Sequence, residues 1–333
     1  MAIYDISGEA LQAVYGLEGT QLSNCYDLAG AGLMFTLVTN TDASTGTSTG
    51  YSLTSDETEN EYVLRRVINF REVATGNSLQ SFAYDYENQT YYKFDASTTV
   101  YVFNSSLALT GSVTLPSSAG HKNDGCYHDG KIYFPSGYFG ASETDGTKLF
   151  VWDISQNTVT AIAVSGITQP QNGSTRIIVG VCETARNSGK LYLVCQDCTD
   201  SELVHAEGDK MAVYEYDIKS GTCTLQAEFP WDCVYVQGAT VYAGILYVAC
   251  NTQTTGTASN YKGITIKCIR TDTWTHFDTL TVEGTFEPEG MDVFPADGGQ
   301  EIAVGMGHWG TMQQTTRFTP PYELVAAESG AKK

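Results

Sequence analysis

The sequence has few basic residues and no long apolar run, and both shortages exclude classes of function. Lys and Arg number 18 against 38 Asp and Glu, which gives a formal net charge of −20. A field of that sign repels phosphate backbones and anionic lipids, so we expect neither nucleic-acid binding nor membrane insertion. No run of about 18 apolar residues occurs, and Met1–Asp5 lack the basic and apolar regions of a signal peptide. We therefore expect synthesis in a cytoplasm.

A regular cysteine framework is also missing. The nine Cys are odd in number, and most lie inside apolar strand patterns, as Cys126, Cys182, Cys250 and Cys268 do. This predicts free buried thiols in a reducing compartment. Residues 195–198 spell Cys-Gln-Asp-Cys, which is half of a zinc motif, but no second CxxC or spaced His pair accompanies it. We expect the end of a strand there instead of a metal site.

Helical periodicity is absent as well, which leaves sheet as the main structure. No apolar pattern with a 3.6-residue period runs for more than two turns. The 21 Tyr and 33 Gly, with abundant Thr, Ser and Val, favour strands joined by tight turns. The predicted fold class is all-β.

Three near-copies of an eleven-residue repeat open the chain, and the nine patterned residues of each copy stand at 3–11, 14–22 and 25–33. Each reads apolar-Tyr-Asp-apolar-x-Gly-x-x-Leu, except that Gly16 replaces the Asp. Short apolar stretches around a Gly predict serial hairpins, and such hairpins bury too little surface to fold alone. We therefore predict an anchor module that docks on a partner; the alternative is that these are the first strands of the main domain. The anchor candidates are Tyr4, Asp5, Tyr15, Tyr26 and Asp27.

These tandem units resemble the start of tail and appendage proteins in phages and prophages of gut Gram-positive bacteria. The resemblance covers roughly residues 1–35. It implies a virion protein whose residues 1–43 bind other virion proteins. The remainder would then be displayed for adhesion to a host-surface glycan or protein, and we expect a homo-oligomer.

A second, longer period begins near residue 61. Five stretches of the form polar-Gly/Ser-x-x-apolar recur at steps of 44 to 58 residues, which is the period of propeller blades. Three further strand patterns follow each of the first four stretches, and four antiparallel strands make a blade. This part of the chain resembles a β-propeller. The stretches begin at Gln80, Asp124, Val179, Gln237 and Glu289.

The fifth stretch lacks its fourth strand, since Pro320 and Pro321 stop the ladder. Residues 62–70 can supply it from the other end and so remove an open edge. We prefer five blades closed by this N-terminal strand; six blades, with the sixth built from residues 22–70, is the alternative. The predicted boundaries are a module at 1–43, a linker at 44–60, a propeller at 61–324 and a flexible tail at 325–333.

The predicted site lies at one mouth of the central channel, which the first strand of each blade lines. Aromatic rings beside amides and carboxylates suit sugars, because the rings stack on sugar faces and the polar groups bind hydroxyls. The ligand-binding candidates are Gln80, His121, Asn123, Asp124, Tyr138, Gln237, Glu289, His308 and Trp309.

Catalysis is the alternative function for this mouth. Asp124 and Glu289 are the acid and base that a glycosidase would need. A third channel carboxylate, usual in five-bladed glycosidases, is replaced by Val179 or a Gln, so we expect both carboxylates to bond to backbone N–H groups instead. His121 and His308 with Asp124 offer a divalent-cation set, although loop histidines are more often surface residues. The leading hypothesis is non-enzymatic, with no cofactor.

Overall fold

The computed structural model describes two separate units of the chain, Met1–Gly50 and Tyr51–Lys333. The residues it describes are 3–4, 10–11, 14–15, 21–22, 53–55, 64–69, 79–95, 97–106, 108–116, 122–135, 146–198, 208–230, 234–251, 263–283, 287–296, 299–308 and 312–318. Within these ranges every regular element is a β-strand, and no helix is long and apolar enough to cross a membrane.

The first unit contains two short hairpins. β1 (Ile3–Tyr4) pairs with β2 (Ala10–Leu11), and β3 (Val14–Tyr15) pairs with β4 (Gln21–Leu22). Each hairpin coincides with one of the first two eleven-residue units, so the hairpin prediction is confirmed for them. The third unit, residues 25–33, lies outside the described residues.

Within the described residues the second unit contains five antiparallel sheets, and their strands follow one another in chain order except for one added strand in each of the last two. The first comprises β7 (Leu79–Asp85), β8 (Thr90–Asp95), β9 (Thr99–Phe103) and β10 (Leu109–Thr114). The second comprises β11 (Cys126–His128), β12 (Lys131–Pro135), β13 (Lys148–Asp153) and β14 (Thr158–Ala163). The third comprises β15 (Thr175–Glu183), β16 (Lys190–Cys198), β17 (Lys210–Asp217) and β18 (Cys223–Pro230).

The last two sheets each receive a strand from the segment that precedes the first sheet. The fourth comprises β19 (Val234–Tyr242), β20 (Ile245–Asn251), β21 (Gly263–Arg270), β22 (Thr275–Glu283) and, on its outer edge, β5 (Leu53–Ser55). The fifth comprises β23 (Glu287–Ala296), β24 (Gly299–His308), β25 (Met312–Phe318) and, on its outer edge, β6 (Leu64–Asn69). In this pairing Phe318 faces Leu64 and Thr315 faces Ile68. The segment predicted as a linker, 44–60, thus contains a strand.

Sharp turns at the first hairpins of the second and fourth sheets follow from residues that accept positive φ. Asp129 and Gly130 join β11 to β12 with φ of 46° and 71°. Ala243 and Gly244 join β19 to β20 with φ of 50° and 76°. Two consecutive positive φ angles define the two-residue turn whose twist matches that of paired strands.

The first strands of the five sheets pack against one another around a common axis. β7 contacts β11, β11 contacts β15, β15 contacts β19, β19 contacts β23, and β23 contacts β7. The Gly/Ser of each repeated stretch permits this close approach. A Cβ added at Gly238 would lie 2.7 Å from the carbonyl carbon of Gly290, and one at Gly290 would lie 3.0 Å from Ser81 Cα. The fold is a β-propeller.

The core lies between neighbouring sheets, where aromatic side chains from one blade pack on the next. Trp152 of β13 is fully buried and meets Tyr92 of β8 edge-on at 5.5 Å between ring centroids. Phe134 and Phe150 stack at 5.7 Å within the second sheet. Large buried rings of this kind contribute much of the stabilisation of a domain.

Candidate functional site

The first residues of the five repeated stretches lie on the inner strands of the five sheets or, for Asp124, just before one. We call the region around them the channel mouth. Its five residues are 0% to 8% exposed, although four of them are polar. They are Gln80, Asp124, Val179, Gln237 and Glu289.

Asp124 binds backbone groups of three other blades. Its Oδ2 accepts hydrogen bonds from the backbone N–H of Val181 and of Ala239, both at 2.9 Å. Its Oδ1 accepts one from the N–H of Met291 at 3.2 Å. Burial raises the pKa of this carboxyl well above its usual range, and the backbone N–H donors oppose that rise. Its oxygens are therefore engaged in joining blades, as the sequence led us to expect for a channel carboxylate.

Glu289 is held differently, in a pair with Glu287 at the start of β23. Gln237 Nε2 of the neighbouring blade donates to Glu287 Oε2 at 3.1 Å. Burial, followed by the charge of Glu287, raises the pKa of Glu289 well above its usual range.

Several buried polar atoms at the channel mouth have no hydrogen-bond partner. They include Gln80 Oε1, Asn123 Oδ1 and Glu289 Oε2. Asn251, at the end of β20, has neither its amide oxygen nor its amide nitrogen paired. Buried polar groups are nearly always hydrogen-bonded in folded proteins, so these unpaired atoms are candidates for binding a polar ligand.

The opposite end of the inner strands, which we call the channel base, carries a second polar cluster that the sequence analysis missed. His128 Nδ1 lies 2.6 Å from Glu183 Oε1, and Asn187 donates its backbone N–H to the same oxygen at 3.1 Å. The Tyr86 hydroxyl donates to Asn187 Oδ1 at 2.7 Å, and the Arg186 guanidinium lies 4.2 Å from the Tyr86 ring centroid. These residues stand at the last position of an inner strand or in the turn that follows, where no spacing pattern singles them out.

Asp292 lies further along β23 and links that strand to the first blade. Its Oδ2 accepts the backbone N–H of Tyr84 at 2.7 Å, and its Oδ1 accepts that of Val293 at 2.7 Å. Burial raises the pKa of this carboxyl to about 7, although both N–H donors lower it. Asp292 is thus a cross-blade carboxylate of the same kind as Asp124, at the next level of the axis.

The remaining predicted site residues are only partly placed. His121, Tyr138 and Trp309 lie outside the described residues, as do Asp5, Tyr26 and Asp27 of the anchor. For Tyr4 and Tyr15 the structure gives the strand positions alone, and for His308 it gives the backbone pairing with Met312. The ligand and anchor roles of these residues stay predictions.

The CxxC segment does not form a chelating pair. Cys195 is buried in the core between the second and third blades, whereas Cys198 is buried in the core between the third and fourth. Residues three apart on a strand point to opposite faces. β16 ends at Cys198, as expected, and the intervening Asp197 binds the Arg176 guanidinium at 2.6 and 3.0 Å.

Side chains that can ligate a metal do not cluster in the described ranges. Within them no three His, Cys, Asp or Glu side chains come together as a metal-ligand group. The seven described cysteines are free, and all but the half-buried Cys223 are buried, which confirms the thiol prediction for them.

Comparisons with known proteins add no functional assignment. No family model matches the sequence, and no curated protein matches it. Among solved structures, the WD40 β-propeller domain of Doa1 is similar at 10% identity and a TM-score of 0.40, covering 72% of this chain and 78% of that chain. A likeness of this size carries no argument about the site, and the propeller assignment rests on the sheets themselves.

Proposed function

We propose that the protein is a non-enzymatic structural or adhesion component of a phage particle. The observation that carries the non-enzymatic part is the engagement of Asp124. A general acid or base must present its carboxyl to substrate, but this one accepts backbone N–H groups from three blades at 2.9 to 3.2 Å. Its role is to hold the display domain together.

The anchor part of the proposal rests on the N-terminal repeats. Residues 1–43 would bind other virion proteins, and the propeller would be displayed toward a host-surface glycan or protein, in a homo-oligomer. The separation of Met1–Gly50 from Tyr51–Lys333 as contact units supports independent roles. The short hairpins support a module that needs a partner surface, since two-stranded hairpins are marginal alone.

We further propose that the display domain has five blades and is closed by its N-terminal strand. The support is that β6 pairs with β25 and that β23 contacts β7. The pairing of β5 with β22 on the outer edge of the fourth sheet supports five blades over six. Closure of this kind protects the last sheet from edge-to-edge association.

Deletion of residues 1–35 tests the anchor. The cut leaves β5 and β6 intact, so we expect the truncated protein to unfold at the same temperature as the full chain, measured by circular dichroism. We also expect it to be missing from purified particles when it replaces the full chain in a producing strain. An unfolded truncation, or normal incorporation, would show that the repeats are not an anchor.

A carbohydrate-active enzyme is the second candidate, and one observation favours it. Burial and the charge of Glu287 together raise the pKa of Glu289 in the channel mouth, and carboxyl groups with raised pKa values recur in acid–base catalysis. A glycan array combined with a hydrolysis assay separates the two functions. We expect binding without turnover; turnover that Glu289→Gln abolishes would establish the enzyme instead.

A further inference from the structure

Three side chains at the channel mouth each carry an oxygen without a protein partner. Gln80 Oε1, Asn123 Oδ1 and Glu289 Oε2 have no hydrogen bond, and their residues are 8%, 3% and 3% exposed. Leaving such a buried atom unpaired is unfavourable, because the group has lost its hydrogen bonds to water. Three of them in one part of the ring indicate a group that the protein is built to receive.

The segments that carry the three residues lie on adjacent blades. A Cβ added at Gly290, which follows Glu289, would lie 3.0 Å from the Cα of Ser81, which follows Gln80. Asn123 directly precedes Asp124, whose Oδ1 is bonded to the N–H of Met291 on the same strand as Glu289. The inner strands of the second and fifth blades both contact the inner strand of the first.

The unpaired side-chain atoms of these three residues are all oxygens that can accept a hydrogen bond or bind a cation. The unpaired atoms are two amide oxygens and one carboxyl oxygen, and Glu287 adds a second carboxyl group beside Glu289. A sugar hydroxyl offers both a donor and an acceptor, whereas a metal cation requires acceptors alone. Carboxylates and amide carbonyls are the ligands that calcium takes in proteins, and a net charge of −20 favours a cation further.

We propose that a calcium ion binds at the channel mouth, held by oxygens of Gln80, Asn123, Glu287 and Glu289. This set differs from the one the sequence suggested around Asp124, because the Asp124 oxygens accept backbone N–H groups. The site would tie the first, second and fifth blades together. It does not depend on the virion role, since a propeller of any function can contain it.

Calcium binding to the full-length protein tests the proposal directly. After treatment with a chelator, we expect calorimetric titration with calcium chloride to show one ion per chain. We also expect calcium to raise the midpoint of thermal unfolding by several degrees, and magnesium to raise it less. A flat titration with equal midpoints in calcium and in chelator would overturn the site.

Two variants locate the ion. Glu289→Gln keeps the shape of the side chain and should weaken calcium binding at least tenfold, in line with the effect of altered metal-site residues. Gln80→Met removes one oxygen without a charge change and should weaken binding several-fold, which keeps the test sharp if the first variant folds poorly. Glu215→Gln, on β17 beside Lys190, makes the same charge change away from the site. Equal affinity in all four proteins would refute the location.

Discussion

At the scale of single residues, Asp124 is the side chain on which the ring depends most. Asp124→Ala would leave the N–H groups of Val181, Ala239 and Met291 without their acceptor. Each buried unpaired group costs about 1–3 kcal/mol, so the free energy of unfolding should fall by several kcal/mol in urea titrations. Asp272→Ala, whose carboxylate is exposed beside Arg270, is the matched control and should change stability far less. Similar losses in both variants would contradict the cross-blade role.

The contacts of the site residues are long-range, and the sequence alone does not predict them. The sequence predicts that backbone N–H groups bind the carboxylates of both Asp124 and Glu289, which is confirmed for Asp124 but not for Glu289, whose Oε2 has no partner. The partners of Asp124 are 57, 115 and 167 residues away, and no local pattern names them. His128 and Glu183 are 55 residues apart and meet only because two neighbouring blades end side by side.

At the scale of elements, the glycines of the repeated stretches set how closely the inner strands pack. Gly238→Ala would put a Cβ 2.7 Å from Gly290 C and Met291 N, both backbone atoms of the next strand. Overpacking of this kind typically costs about 1–3 kcal/mol. Gly111→Ala on β10 has no atom within 4 Å of its added Cβ and should leave stability unchanged or slightly higher. Chemical denaturation measures the stability of both variants. Equal midpoints for the two would disprove tight packing at the axis.

Strands were predictable because apolar alternation and turn residues repeat in each blade, and their bounds agree to within a few residues. The strand predicted at 62–70 is Leu64–Asn69. The sequence predicts a linker at 44–60 because the Ser-, Thr- and Gly-rich residues 44–50 favour flexibility. Leu53–Ser55 nevertheless form a strand, because they pair with Leu280–Val282 through backbone groups, and composition does not report backbone pairing. The CxxC at 195–198 could be a metal half-site or the end of a strand from its sequence alone. The alternation of side chains along the strand separates the two thiols and excludes a chelating pair.

At the scale of the whole molecule, buried carboxyl groups should make stability depend on pH. Burial raises the pKa of Asp292 to about 7 from an ordinary value near 3.8. Between pH 4 and pH 7 the folded state therefore keeps a proton on Asp292, whereas the unfolded state releases it. The contribution of Asp292 to stability is therefore highest below about pH 4 and falls as the pH rises toward 7. The shift corresponds to a loss on the order of 4 kcal/mol.

Asp292→Asn removes this titration while keeping an oxygen that accepts the Tyr84 N–H. We expect the variant to lose less stability than the wild type when urea denaturation is repeated at pH 4, 5.5 and 7. Asp124 and Glu289, whose pKa values are also raised, leave a residual slope of the same sign in both proteins. Parallel pH profiles for variant and wild type would exclude Asp292 as a contributor.

The pairing of β6 with β25 has a consequence for biosynthesis. β6 ends at Asn69 and β25 begins at Met312, so more than 240 residues must be translated between the two strands. At about 5–20 residues per second, β6 waits on the order of 10–50 s for its partner. During that interval its backbone edge is available to another nascent chain on the same polysome. The yield of folded protein should therefore depend on how crowded the ribosomes are on its message.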